Sequence, residues 1–139
     1  LRESVVSATR DVPLLGICLG MQMLMETSEE HGIHQGLSLI PGSVKRFPKV
    51  PGFKVPHMGW NSLSLEKPDH PLLAGIRPDE SVYFVHSYFP APADESIVSA
   101  TCDYGGAFAA SVTCSTAHAC RAAGLPRTAS GAKPSNKMS

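Results

Sequence analysis

The apolar pattern of this chain changes period once, near its start. Leu14-Leu15-Gly16-Ile17 is a short, continuously apolar run of the kind buried on both faces of a parallel sheet. Beyond Cys18, Met21, Leu24 and Met25 recur at helical spacing up to the acidic Ser28-Glu29-Glu30. Strand, one-residue turn, helix is the local expectation. Upstream, residues 3–9 read as the end of a helix that Asp11-Val12-Pro13 breaks.

From Gly36 to Pro68 the period shortens. Prolines at 41, 48, 51, 56 and 68 separate short pieces such as Ser43-Val44-Lys45-Arg46-Phe47 and Ser62-Leu63-Ser64-Leu65, a spacing that suits hairpins or edge strands. Pro71-Leu72-Leu73-Ala74 allows one helical turn. Residues 81–88, Ser-Val-Tyr-Phe-Val-His-Ser-Tyr, give the strongest strand signal, being rich in β-branched and aromatic residues. Residues 97–102 and 107–112 read as two further strands joined by a turn at Tyr104-Gly105-Gly106. After Val112 the large apolar residues all but vanish and no acidic residue occurs. Residues 113–139 therefore read as a divergent tail, expected to be disordered, and residues 1–112 as a partial domain.

Composition narrows the class. With 139 residues, 42% apolar and 17% charged, the chain suits one globular domain. Twelve basic residues balance twelve acidic ones, so the electrostatic footprint of nucleic-acid binding is missing. No apolar run approaches the ~20 residues of a membrane span, and no signal-peptide pattern opens the chain, so the cytoplasm is the default location. The chain begins with Leu1 rather than Met, which reads as the inside of a longer reading frame. Cys18, Cys102, Cys114 and Cys120 form no CxxC pair, and His31, His34, His57, His70, His86 and His118 are scattered. Reduced thiols, no metal and no cofactor are expected.

The chemistry gathers at Gly16-Ile17-Cys18-Leu19-Gly20, where strand is expected to meet helix. A nucleophile elbow needs this arrangement: small residues on either side relieve crowding in a strained turn, and the nucleophile projects toward substrate. Backbone N–H groups at the helix start favour negative charge on the sulfur, and the Leu19 N–H becomes a donor to a tetrahedral oxyanion. A lone Cys in an apolar run is more often a buried structural thiol; the flanking glycines and the strand-to-helix switch argue for the elbow.

Residues 16–22, Gly-Ile-Cys-Leu-Gly-Met-Gln, resemble the nucleophile motif of the class I glutamine amidotransferases. Residues 54–61, Lys-Val-Pro-His-Met-Gly-Trp-Asn, and residues 83–88, Tyr-Phe-Val-His-Ser-Tyr, narrow the likeness to glutaminase subunits of imidazole glycerol phosphate synthase. The resemblance covers roughly residues 10–112. It implies a three-layer α/β, flavodoxin-like domain with a mixed central sheet, helices on both faces and Cys18 at the C-terminal edge of a central strand, incomplete at both ends. It also implies glutamine hydrolysis through a Cys18 thioester, with ammonia passed to a partner (β/α)₈ cyclase barrel in histidine biosynthesis.

Position by position, the resemblance makes Cys18 the nucleophile and Leu19 an oxyanion donor. Gln22 becomes a contact for the glutamine head group; on its own it also reads as a solvated helix residue. His86, Ser87 and Tyr88 become the pocket wall, with a hydrogen-bonded core histidine as the other reading of His86. His57, Met58, Gly59, Trp60 and Tyr83 fall near the barrel-docking face, although Trp60 also suits a core.

The chain departs from the family where proton transfer is supplied. A His-Pro-Glu motif is expected downstream of the Gly-Gly turn, and the corresponding residues 122–127 read Ala-Ala-Gly-Leu-Pro-Arg. The family's second oxyanion donor lies upstream of Leu1. The expectation is a chain without useful glutaminase activity. The alternatives are a non-catalytic remnant or the glutaminase of another synthase.

Overall fold

The computed structural model describes residues 1–78 and 80–114. The disorder expected of the tail, and the stretch 122–127, lie outside the described residues. Two helices, α1 (Arg2–Ala8) and α2 (Leu19–Met23), precede nine strands: β1 (Met25–Ser28), β2 (His34–Gln35), β3 (Ile40–Arg46), β4 (His57–Ser62), β5 (Ser64–Leu65), β6 (Ser81–His86), β7 (Tyr88–Pro92), β8 (Val98–Asp103) and β9 (Ala107–Val112). The result is mixed α/β, dominated by strands.

Three sheets form. The largest has the order β2-β1-β3-β7 and is mixed, with β1 parallel to β3 and the other pairs antiparallel. Gly42 lets β3 lie against β7: at φ +122° it adopts a conformation side chains disfavour, and a Cβ there would run into the backbone of Ala91 and Pro92. Strands β4 and β6 make an antiparallel pair, and β5-β8-β9 form the third sheet. Both strands beyond Pro92 occur where their β-branched residues place them, joined by the turn at Tyr104-Gly105-Gly106.

Two cores hold these sheets. Met25, Ile40, Val44 and Ile97 form one, with Leu24, Tyr88 and Val112 packed against it. Phe47, Leu63, Cys102 and Phe108 form the other, joined by Val82, Phe84, Phe89 and Tyr104. The second is an aromatic cluster: Phe47 makes an edge-to-face contact with Phe108 at 5.1 Å and a tilted one with Phe89 at 4.8 Å between centroids.

Two expectations near the elbow need correction. The helix after Cys18 stops at Met23, because Leu24 and Met25 are taken into the mixed sheet: the Leu24 carbonyl accepts from the N–H groups of Leu39 and Ile40, and Met25 pairs with Ile40. A short apolar run carries helix and strand signals alike, and sheet pairing decides. Leu14–Ile17 is not a buried central strand either. No described strand hydrogen-bonds to it, and Ile17 remains 75% exposed. Strand geometry requires a pairing neighbour, and none of the described strands lies beside this segment.

Candidate active site

Cys18 occupies a one-residue turn that ordinary backbone avoids. At φ 53° and ψ −115° it is among the described non-glycine residues with positive φ, and it caps the N-terminus of α2. Such backbone is strained, by about 1–3 kcal/mol, and persists only where surrounding contacts over-determine it. Gly16 is one of those contacts. A Cβ on it would stand 2.7 Å from the carbonyl carbon of Gly20 and 2.8 Å from the Met21 nitrogen, so only glycine lets the entering chain close on the helix. Gly20 itself carries no such constraint, since a Cβ there would meet nothing within 4 Å. Helical hydrogen bonds start with the Gly20 N–H to the Ile17 carbonyl at 2.9 Å, which leaves the Leu19 N–H ahead of the first of them.

The Cys18 thiol is exposed and lines a cavity of about 270 Å³ together with Met21, Gln22, Phe84, His86 and Tyr88. Pockets for drug-sized ligands run ~300–1,000 Å³, so this one suits a molecule the size of an amino acid. Cys102 contrasts with Cys18: 1% exposed, its thiol is pushed up by burial and by the neighbouring Asp103 charge.

Beside Cys18 the wall is held by a chain of hydrogen bonds. Gln22 Nε2 donates to the Tyr88 carbonyl at 3.0 Å, tying α2 to β7. The same carbonyl faces His86 Nδ1 at 2.9 Å, and His86 Nε2 faces His57 Nδ1 at 3.0 Å. The His57 ring lies stacked on Tyr104 at 3.9 Å and on Phe84 at 4.6 Å. Both imidazoles are pushed below the ordinary histidine pKa, His57 by burial and then by the charge His86 would carry, His86 by burial against a smaller opposing effect of the Tyr88 carbonyl. They are neutral at pH 7.

Strand register accounts for this pair. In β4 and β6, His57 stands opposite His86, Met58 opposite Val85 and Trp60 opposite Tyr83. Alternation turns His57, Gly59 and Asn61 inward with Val82, Phe84 and His86, while Met58, Trp60, Tyr83 and Val85 face out. The outer face is apolar and aromatic, with Trp60 72% exposed and edge-to-face with Tyr83 at 5.5 Å. His57 is only 2% exposed, so its grouping with the docking residues Met58, Gly59, Trp60 and Tyr83 is corrected: its ring belongs to the interior.

The structure thus brings Cys18, Gln22, His86 and Tyr88 to one cavity. Ser87 sits at the break between β6 and β7, where its carbonyl accepts from the Phe47 N–H at 3.0 Å, and it is not among the lining residues. Asn61 was missed by sequence reasoning. Its Nδ2 donates to the Asp103 carbonyl at 2.9 Å and lies 3.5 Å from His57 Nε2. Two-residue periodicity in β4 carries that signal, since it puts Asn61 on the same face as His57. Among the described residues no three His, Cys, Asp or Glu side chains gather as a metal site. Nor is any described helix long and apolar enough to cross a membrane.

A strained cysteine turn beside a small, mostly apolar cavity with a few polar groups is the arrangement that nucleophilic cysteine chemistry requires. The profile of the family described as glutamine amidotransferase class-I matches residues 3–119, and the chain belongs to that family. It is 53% identical over 105 residues to the imidazole glycerol phosphate synthase subunit HisH of Syntrophotalea carbinolica, covering 72% of this chain and 50% of that protein. To the subunit of the same name from Methylococcus capsulatus it is 51% identical over 118 residues, 81% of this chain and 54% of that one. The chain spans about half the length of the curated relatives it matches.

Proposed function

We propose that this chain carries the glutamine-binding and nucleophilic part of the glutaminase of imidazole glycerol phosphate synthase. The observation that carries the reading is Cys18 in its strained turn, exposed to a cavity that Gln22, His86 and Tyr88 also line. In this reaction the sulfur attacks the side-chain carboxamide carbon of glutamine, and the carbonyl oxygen takes up negative charge beside the Leu19 N–H. Collapse expels the nitrogen, which leaves as ammonia once protonated, and water then cleaves the thioester to glutamate. With one N–H of Gln22 Nε2 engaged by Tyr88, the side chain keeps Oε1 as an acceptor and its second N–H as a donor for a ligand.

Proton transfer is the weak link. Among the described residues the cavity lining contains no carboxylate, and its one imidazole, His86, already uses Nδ1 on Tyr88 and Nε2 on His57. Together with the missing His-Pro-Glu at residues 122–127, this supports a chain that forms the nucleophile pocket without useful turnover. The apolar face of Met58, Trp60 and Tyr83, with Gly59 turned to the inner side, is the proposed contact for the cyclase barrel, which would make the assembly a cytoplasmic heterodimer in histidine biosynthesis.

A glutaminase assay on the purified chain, with and without the barrel, tests this. Turnover at or near background is expected. Robust glutamate release that disappears on Cys18→Ala would overturn the inactivity. Absence of any complex with the barrel, alongside binding to a different synthase, would favour glutaminase service to that other enzyme.

A further inference from the structure

The His57–His86 pair lies outside the reacting atoms, yet its proton arrangement is determined from both ends by groups that cannot change role. A carbonyl only accepts, so His86 Nδ1, 2.9 Å from the Tyr88 oxygen, carries the proton. The neutral ring then presents a bare Nε2, and His57 Nδ1, 3.0 Å away, must be the donor. At the far end the Asn61 amide is oriented independently: Oδ1 accepts from the Ser62 N–H at 2.9 Å and Nδ2 donates to the Asp103 carbonyl at 2.9 Å. That turns an N–H toward the bare Nε2 of His57, at 3.5 Å. Three links therefore run in one direction, from Asn61 through His57 and His86 to the Tyr88 carbonyl, to which Gln22 also donates. Reversing either tautomer puts two donors or two acceptors face to face.

We infer that His57 is a positioning residue for the nucleophile cavity. Its Nδ1–H fixes His86 as the Nδ1–H tautomer. His86 in turn anchors the carbonyl of Tyr88, and that carbonyl holds the Gln22 amide on the wall facing Cys18. The His57 ring does not itself line the cavity, and acts through His86. Its stack between Tyr104 and Phe84 keeps the ring plane from swinging away from that bond. The inference rests on the proposal that the cavity receives glutamine, but the tautomers can be read without it.

The test combines spectroscopy with reactivity on the full chain. Two-bond proton–nitrogen correlation spectra of the imidazoles, taken above the histidine titration range, should show both His57 and His86 protonated at Nδ1. An Nε2–H form of either ring overturns the inference, whatever the cavity binds. The reactivity arm compares Cys18 labelling by a glutamine analogue whose carboxamide is replaced by an electrophilic diazoketone with labelling by iodoacetamide, which needs no shaped pocket.

His57→Phe keeps a stacking ring and removes the donor; His57→Asn loses the ring and retains an N–H near the Nδ1 position. In the Phe variant the analogue rate should fall on the order of tenfold, the effect of one buried hydrogen bond, while the iodoacetamide rate holds. The Asn variant should recover most of the loss. If Phe labels like wild type, or Asn is the worse of the two, His57 serves packing alone and the inference fails. If the wild-type chain reacts with the analogue no faster than its iodoacetamide reactivity accounts for, the glutamine reading fails, and the positioning role with it.

Discussion

His57 and His86 stand opposite each other across β4 and β6 and share a 3.0 Å hydrogen bond between neutral rings. The pair links the interior of a two-stranded sheet to the wall of the Cys18 cavity, and it has a pH signature. The groups around it are Phe47 just beyond β3, Phe84 of β6, Phe108 of β9 and Tyr104, whose hydroxyl donates to the Lys54 carbonyl; Asp103 offers its main-chain carbonyl through Asn61. No described carboxylate side chain is among the hydrogen-bond or ring partners of either imidazole. Both folded-state pKa values lie below the unfolded value of about 6.5, so the unfolded chain binds more protons as pH falls through that range. Stability should hold above pH ~6.5 and decline below it, toward the lowered folded values. Urea midpoints across that window check this, and a midpoint that rises on acidification contradicts it. His57→Phe should flatten the slope.

The two glycines of the elbow should behave differently. Gly16→Ala forces a methyl group against the Gly20 and Met21 backbone and should cost about 1–3 kcal/mol. Gly20→Ala points into open space within α2 and should be neutral or raise stability by up to ~1 kcal/mol through helix propensity. Thermal unfolding of the two variants gives the order, and equal losses would contradict the elbow geometry.

Thiol reactivity should separate Cys18 from Cys102. In the folded chain a small alkylating reagent should modify Cys18 and leave Cys102 unmodified until denaturant is added, because burial both hides the second sulfur and disfavours its thiolate. Peptide mass mapping of a brief reaction reads this out. Comparable early modification of Cys102 would show that the aromatic core opens readily.

The outer face of β4 and β6 should matter for association more than for folding. Trp60→Ala, with its ring largely in solvent, should change stability by no more than ~0.5 kcal/mol. The same change should weaken binding to the cyclase barrel by about 2 kcal/mol or more, as for an aromatic anchor at an interface centre. Titration calorimetry against the purified barrel measures it. Unchanged affinity would remove this face from the interface.

Strands β3, β6, β8 and β9 were legible because their signals are local: β-branched and aromatic residues, regularly placed prolines and a Gly-Gly turn; β4 and β7, interrupted by Gly or Pro, were not. The turn at Cys18 and the helix start after it were legible for the same reason, their glycines and cysteine being adjacent in sequence, whereas the strand expected before them is not formed. Pairing was not legible. Whether Leu24 and Met25 continue a helix or enter a sheet depends on Leu39 and Ile40, and that contact carries no local signature. His57 shows a finer failure. Motif likeness grouped it with Trp60, but three residues along a strand reverse the face, so parity alone separates an interior ring from a surface one. The hydrogen-bond chain it enters follows from that parity and from the β4–β6 register.

The central claim is a cysteine held in a strained turn facing a glutamine-sized cavity. Intact-mass analysis after treatment with the diazoketone analogue of glutamine tests it most directly. The expected result is a single adduct on Cys18, slowed by excess glutamine and absent in Cys18→Ser. Labelling spread over several residues, or indifferent to glutamine, would contradict it.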